Sequence, residues 1–157
     1  MDRGYSDLKN PSDRLPDLVL PSATSGAGRT VRSSGRRAPV LVLVHGPDCT
    51  SCTAYLERLA EGRSEIQDWD GEVEVVSPSP FEERATLDGF VYLHDPDGRL
   101  ARDLAVSPPA VVIADQWAVI RALEPAGESH EFISVDEVVE WLRFMAIECP
   151  ECEGEAF

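Results

Sequence analysis

Four cysteines in two pairs of equal spacing are the residues of this chain best suited to chemistry. Cys49 and Cys52 stand in "HGPDCTSC", Cys149 and Cys152 in "IECPEC", and the 157 residues hold no others. A thiolate, rather than a thiol, attacks disulfides and peroxides, and an ordinary thiol with a pKa near ~8.5 is mostly protonated at neutral pH. A helix N-terminus lowers that value, because unpaired N–H groups and aligned peptide dipoles favour negative charge there. Cys49 and Cys52 meet this requirement: they follow the apolar run "PVLVLV" (Pro39–Val44) and open a segment of helical spacing. Two intervening residues let both sulfurs approach within bonding distance across a first helical turn. Cys49 is then the more exposed and nucleophilic sulfur, and Cys52, one turn in, the one that resolves a mixed disulfide. His45, four residues before Cys49, is placed to support a thiolate or carry a proton, although a histidine at a strand end also packs there without a chemical role.

The elements that must hold this pair are legible in outline. "PVLVLV" has the β-branched, unbroken pattern of a strand buried on both faces. After it, Tyr55, Leu56 and Leu59 share one helical face and Gly62 suits the helix end. "LPDLVLP" (Leu15–Pro21) reads as an edge strand and "TSGAGRTVRSSGRR" (Thr24–Arg37) as turn, short strand and loop. "EVEVVS" (Glu72–Ser77) predicts a strand, "FEERATL" (Phe81–Leu87) a weak helix, and "FVYLHDPDGRLARDLAV" (Phe90–Val106) a strand, a turn and a short helix. The acids of "HDPDG" suit a β-turn far better than a calcium site. "AVVIADQWAVIRAL" (Ala110–Leu123) predicts two strands hinged near Asp115–Gln116. Ser134 and Glu137 form a capping box ahead of an apolar stripe of Val135, Val138, Val139, Leu142 and Ala146. Strands alternating with helices, then a hairpin and a last helix, predict a three-layer α/β sandwich.

In this order the features resemble the thioredoxin-like redoxins, the broad group that holds alkyl hydroperoxide reductase C/thiol-specific antioxidant proteins and their relatives. The resemblance covers about residues 15–145. "LPDLVLP…GRTVR" is similar to the N-terminal strand pair, "APVLVLVHGPDCTSC" to the strand leading into the active-site helix, and "SPPAVVIADQWAVI" to the proline–strand–turn–strand that ends the sheet. It implies a thioredoxin-like α/β/α sandwich with a mixed central sheet. It also implies a proline, commonly cis, facing the cysteine pair; Pro109 aligns with it, and Pro108 and Pro109 together would shape the substrate groove. Two departures weigh against a peroxidase working through Cys52. Where peroxiredoxins carry a threonine, three residues before the reactive cysteine, stands Cys49, and no arginine lies near Pro108–Ala110. Two others depart from thioredoxin. Leu43 occupies the place of the buried acid, and Asp48 adds a charge that should raise the Cys49 pKa.

The activity this implies is thiol–disulfide exchange through Cys49 and Cys52. It would need no cofactor beyond the redox-active disulfide, and its partner would be a protein disulfide or a thioredoxin-type electron donor. The alternatives are a peroxide reductase using Cys52, or a redox-inactive adaptor whose tail cysteines link through a metal or a disulfide.

The tail pair lacks the setting of the first. Glu148, Glu151, Glu153 and Glu155 flank Cys149 and Cys152, an electronegative neighbourhood that disfavours thiolates. An accessory redox pair, a disulfide link, half of an intermolecular zinc site and an idle tail all fit. A metal site made of all four cysteines fits poorly, because 96 residues separate the pairs where zinc sites of this type use ~15–20. No metal is expected except, at most, at Cys149 and Cys152.

The totals set limits on the partners. The net charge is −15, with seven basic and four acidic side chains in residues 1–37, leaving seven basic against twenty-five acidic in the rest. Such a body repels a phosphate backbone, so nucleic acid is not expected as a partner. Thirteen arginines stand against one lysine, Lys9, which suits a salt-rich cytoplasm or an arginine-favouring composition equally well. No stretch approaches the ~18–20 apolar residues of a membrane span, and no apolar segment resembles a secretory signal. A cytoplasmic protein is expected, with a loose leader at 1–14, a redoxin domain at 15–147 and an acidic tail at 148–157.

Overall fold

The unbroken apolar run at residues 38–43 forms β3 (Ala38–Leu43), the middle strand of a five-stranded sheet, and every one of its residues is buried. The computed structural model describes residues 14–22, 26–32 and 37–148. Around β3 the sheet adds β4 (Gly71–Ser77) and β5 (Val91–His94) in parallel on one side, and β6 (Ala110–Ala114) and β7 (Ile120–Pro125) antiparallel on the other. The spatial order is β5-β4-β3-β6-β7, a mixed sheet. β6 and β7 hinge at Asp115, whose carboxylate accepts the Trp117 and Val119 N–H groups at 2.9 and 3.0 Å.

Both faces of the sheet are covered, which is why β3 and β6 tolerate no polar residue. On one face lie α1 (Thr50–Glu61), α2 (Arg63–Asp68) and α4 (Val135–Ile147). Tyr55, Leu56, Leu59, Ile66, Val138 and Leu142 pack there against Val40, Val42, Val73 and Ile113. On the other face, α3 (Arg99–Leu104) and the hairpin of β1 (Val19–Pro21) with β2 (Gly28–Thr30) bring Leu18, Leu20, Leu100 and Leu104 onto Leu41, Leu43 and Val112. The expected sandwich is present, with one refinement: a β-hairpin shares the second outer layer with a helix. β1 belongs to that separate two-stranded sheet and not to an edge of the main one.

Other expectations held where the signal was local. The capping box at Ser134 is formed in both directions and starts α4, but of its stripe Ala146 is exposed. "HDPDG" is a turn in which the Gly98 N–H donates to the Asp95 carbonyl at 3.1 Å, and the buried Asp95 carboxylate accepts the Arg99 and Leu100 N–H groups of α3. The weak helix expected at 81–87 is reduced to a 3₁₀ turn, Glu83–Ala85. Gly62 ends α1 as expected, yet the chain re-enters a helix at once: α2 was not anticipated, because six residues are too few to show a period. The expected leader at 1–14 lies, apart from Arg14, outside the described residues.

Gly71 marks the tightest approach of the helical layer to the sheet. A Cβ there would stand 2.6 Å from a Leu142 methyl, 2.8 Å from Ile66 Cγ2 and 3.1 Å from the Ile66 carbonyl oxygen. The side chains can turn away, but the carbonyl cannot without moving α2. Gly71→Ala should therefore cost ~1–3 kcal/mol of unfolding free energy in a denaturant titration, the range for overpacking. An unchanged midpoint would mean that α2 yields freely.

Candidate active site

The register decides which loops meet. Leu43 pairs with Ala110, and Ala110 with Pro125, so the end of β3, the start of β6 and the end of β7 lie side by side at one end of the sheet. Three loops open there: 44–49 carrying His45, 105–109 carrying Pro108 and Pro109, and 126–134 carrying His130.

Cys49 is the N-cap of α1, with φ −84° and ψ 108°, and its sulfur accepts the Cys52 N–H at 3.4 Å. Sulfur thus occupies the place that serine, threonine or aspartate usually fills. Cys52, one turn in, has no exposed surface and accepts the backbone N–H of His45 at 3.5 Å. The two thiols are free, and their environments push them apart. Partial burial acts to raise the Cys49 thiol, but it is outweighed by polar contacts with the Cys52 thiol and N–H, with His45 and with His130, which bring it down to about 6. Burial pushes the Cys52 thiol up to about 12, with the neighbouring Cys49 adding to the rise. Asp48, expected to oppose the thiolate, is exposed and is not among the groups that set the Cys49 value.

His45 joins the site as expected, through two contacts. Its Nε2 lies 3.2 Å from the Pro108 carbonyl oxygen and its Nδ1 lies 3.3 Å from His130 Nε2. A carbonyl oxygen can only accept, so Nε2 of His45 carries the proton. His130 was missed in the sequence. Its Nε2 lies 3.5 Å from Cys49 Sγ, and its Nδ1 donates to the Glu128 carbonyl at 3.0 Å. The Glu128 carbonyl raises the His130 pKa most; burial opposes it, and the Cys49 sulfur adds to the rise. His130 sits at φ +58° in a tight loop that also uses Gly127 at φ +75°. Two residues on, Phe132 stacks on the buried Tyr55 of α1 at 4.2 Å between ring centres, tying that loop to the cysteine helix. No local motif announces His130, which follows Cys49 by 81 residues. Only the pairing of β3 with β6 and β6 with β7 brings it there.

The Pro108–Pro109 bond is cis. Both prolines line a groove of about 400 Å³, with His45, Ser107, Gly127 and Glu128 among its walls. Glu148, at the end of α4, is held by Arg121 at 2.7 Å, and Arg121 also lies 3.6 Å from Asp115. Both partners sit at the end of the sheet opposite Cys49. Cys149 and Cys152 themselves lie outside the described residues. Among the described residues, the group able to hold a metal is instead at the candidate site: one ligand atom each of His45, Cys49, Cys52 and His130, all within 4.8 Å of one another.

No protein-family model and no curated protein matches the sequence. Solved structures do match. AhpC of Mycobacterium tuberculosis superposes with a TM-score of 0.72 at 18% identity, over 92% of this chain and 98% of its own. A thiol peroxidase from Chromobacterium violaceum gives 0.69 at 19%, covering 88% of each chain. The exposed lipoprotein thioredoxin Etrx1 of Streptococcus pneumoniae gives 0.64 at 20%, over 82% of this chain and 99% of its own. At such identities the likeness carries the fold, which is thioredoxin-like. Among the described residues no helix is long and apolar enough to cross a membrane.

Proposed function

We propose that the chain is a thiol–disulfide oxidoreductase working through Cys49 and Cys52. One observation carries the reading: Cys49 caps α1 with its sulfur on the Cys52 N–H and beside His130, while Cys52 lies buried one turn behind it. The solved structures that share this fold include a thioredoxin and a thiol peroxidase by name, and the site geometry supports the first chemistry. The better thiolate is Cys49, not the buried Cys52 that a peroxidase would use.

In the exchange, the Cys49 thiolate attacks one sulfur of a partner disulfide, forming a mixed disulfide and releasing one partner thiolate. That step removes the Cys49 charge from beside Cys52. Cys52 then loses its proton, for which His45 Nδ1 is an available base within 4.8 Å, and attacks Cys49 Sγ. The second partner thiolate leaves; the partner has gained two electrons and the Cys49–Cys52 disulfide holds the oxidising equivalent. Pro108 and Pro109 shape the groove in which the partner strand lies, and the substrate is a protein disulfide or a thioredoxin-type donor running the cycle in reverse. The dithiol itself is the redox group of this reaction. A compartment that keeps thiols reduced, the cytoplasm, suits it.

Insulin reduction by dithiothreitol tests this. The wild-type chain should accelerate insulin precipitation, and Cys49→Ser should fall to the uncatalysed blank. A wild-type rate equal to the blank would favour the redox-inactive adaptor. Peroxide consumption that survives Cys49→Ser and dies with Cys52→Ser would favour the peroxidase.

A further inference from the structure

His45 Nδ1 and His130 Nε2 face each other at 3.3 Å, yet in neutral rings neither has a proton to give. Each histidine spends its N–H on a backbone carbonyl: His45 Nε2 on Pro108 and His130 Nδ1 on Glu128. Two lone pairs therefore converge, and they converge on the two cysteine sulfurs. Such an arrangement calls for a cation between them. A proton can serve one nitrogen or one sulfur at a time; a metal ion can serve all four.

We propose that the reduced chain binds one Zn²⁺ in a tetrahedral site formed by Cys49 Sγ, Cys52 Sγ, His45 Nδ1 and His130 Nε2. The dimensions agree. Zn–N bonds of ~2.0–2.1 Å and Zn–S bonds of ~2.3 Å give a tetrahedron with edges of about 3.3–3.4 Å between nitrogens and about 3.5–3.6 Å between nitrogen and sulfur. The structure places the two nitrogens 3.3 Å apart and His130 Nε2 3.5 Å from Cys49 Sγ, with every remaining pair within 4.8 Å. The outer contacts are those that a metal site needs. Carbonyl acceptors on the far nitrogens fix both tautomers with the lone pair inward. The backbone N–H groups of Cys52 and His45 point at Cys49 Sγ and Cys52 Sγ, where they stabilise thiolate charge. Two nitrogens and two thiolates form the borderline-soft donor set that suits zinc, and the complex is electrically neutral.

The metal and the disulfide exclude each other. Zinc binding takes both sulfurs as thiolates and releases whatever protons they carried, so a loaded site cannot attack a disulfide. Conversely, when zinc dissociates, the freed dithiolate reduces an oxidising disulfide to two thiolates, which take their protons from solvent, and the Cys49–Cys52 bond that closes can no longer hold Zn²⁺. The site is then a store that opens on oxidation, with zinc guarding the reduced pair. This use of the residues does not depend on the exchange reaction proposed above.

The test uses the full-length chain with Cys149→Ser and Cys152→Ser, so that the tail cannot supply thiolates, reduced and freed of metal by a chelator. Co²⁺ is the spectroscopic probe. It should bind one per chain with the intense visible bands of a tetrahedral complex and thiolate-to-cobalt charge transfer in the near ultraviolet, and one equivalent of Zn²⁺ should displace it. His45→Asn and His130→Asn should each weaken Zn²⁺ at least ~10-fold in competition with a chromophoric chelator. Asparagine tolerates the left-handed backbone at position 130, and circular dichroism checks the fold. Zn²⁺ should also raise the melting temperature of the reduced chain and leave that of the oxidised chain unmoved. Weak octahedral bands without charge transfer, or unchanged affinity when both histidines are replaced, would overturn the proposal. Insulin reduction by the chelator-treated protein keeps the two readings apart: exchange without metal binding sinks only the zinc site, and metal binding without exchange sinks only the oxidoreductase.

Discussion

Iodoacetamide at pH 7 should alkylate Cys49 about a hundredfold faster than Cys52, in reduced, chelator-treated chain whose tail cysteines are replaced. The figure comes from two opposing effects. With its thiol at about 6, Cys49 is roughly nine-tenths thiolate at pH 7, whereas Cys52 at about 12 is thiolate in roughly one molecule in 10⁵. A more acidic thiol is intrinsically the weaker nucleophile, with a Brønsted coefficient of ~0.4–0.5, and this gives back roughly three of those five decades. What remains is about two decades in favour of Cys49, before the burial of Cys52 further slows access. The pH dependence carries the same information. Cys49 labelling should rise through pH ~6 and level off above it, whereas an ordinary thiol keeps gaining up to pH ~8.5. Peptide mapping by mass spectrometry reads both. Labelling of Cys52 first, or a Cys49 profile that climbs only above pH 8, would remove the thiolate on which the proposed exchange depends.

The cysteine pair was legible because what places it is local. An apolar run long enough for one buried strand, then a helix that opens at Cys49 as its N-cap, can be read along the chain, as can the α4 capping box and the Asp115 hinge. Pro109 came from resemblance, and it lines a groove together with Pro108 and His45. His130 shows where such reading stops. Its position is fixed by two strand pairings and by the Phe132–Tyr55 stack, none of which leaves a periodic trace in "EPAGESHEF". Among the described residues, the side chains able to hold a metal stand where two histidines from separate loops complete the first cysteine pair; the tail pair lies outside those residues. Asp48, adjacent to Cys49 in sequence, is not among the groups that set its thiol.

Leu43 fills the place where the resemblance puts a buried acid, but the sheet buries another acid, Glu74, and its placement leads to the other large effect. In β4, Val73 and Val75 face the helices α1 and α4, so Glu74 between them faces the hairpin side, level with Leu41. Alternation in "EVEVVS" would put such a residue in water, but β1 and β2 cover it and no part of it is exposed. Arg29 reaches both carboxylate oxygens of Glu72 at 3.2 Å, while both oxygens of Glu74 lack a hydrogen-bond partner among the described residues. Burial, then the Glu72 charge, raise the Glu74 pKa well above the ordinary carboxylate value, against the smaller opposing pull of Arg29. The folded state therefore holds this proton more tightly than the unfolded chain does. Linkage then gives the sign: the contribution to stability is fully present below the unfolded pKa of ~4.3 and is lost as pH rises from there toward the folded value. Glu74→Met should stabilise the protein at pH 8 by about 1–3 kcal/mol, the scale of an unpaired buried polar group, with a smaller gain at pH 5. Urea unfolding at the two pH values measures the difference; equal gains at both, or a loss at pH 8, would show that the carboxylate has found a partner. Insulin reduction should be unmoved by the substitution, since Glu74 lies across the sheet from Cys52 and the base for the resolving step is on the histidine side.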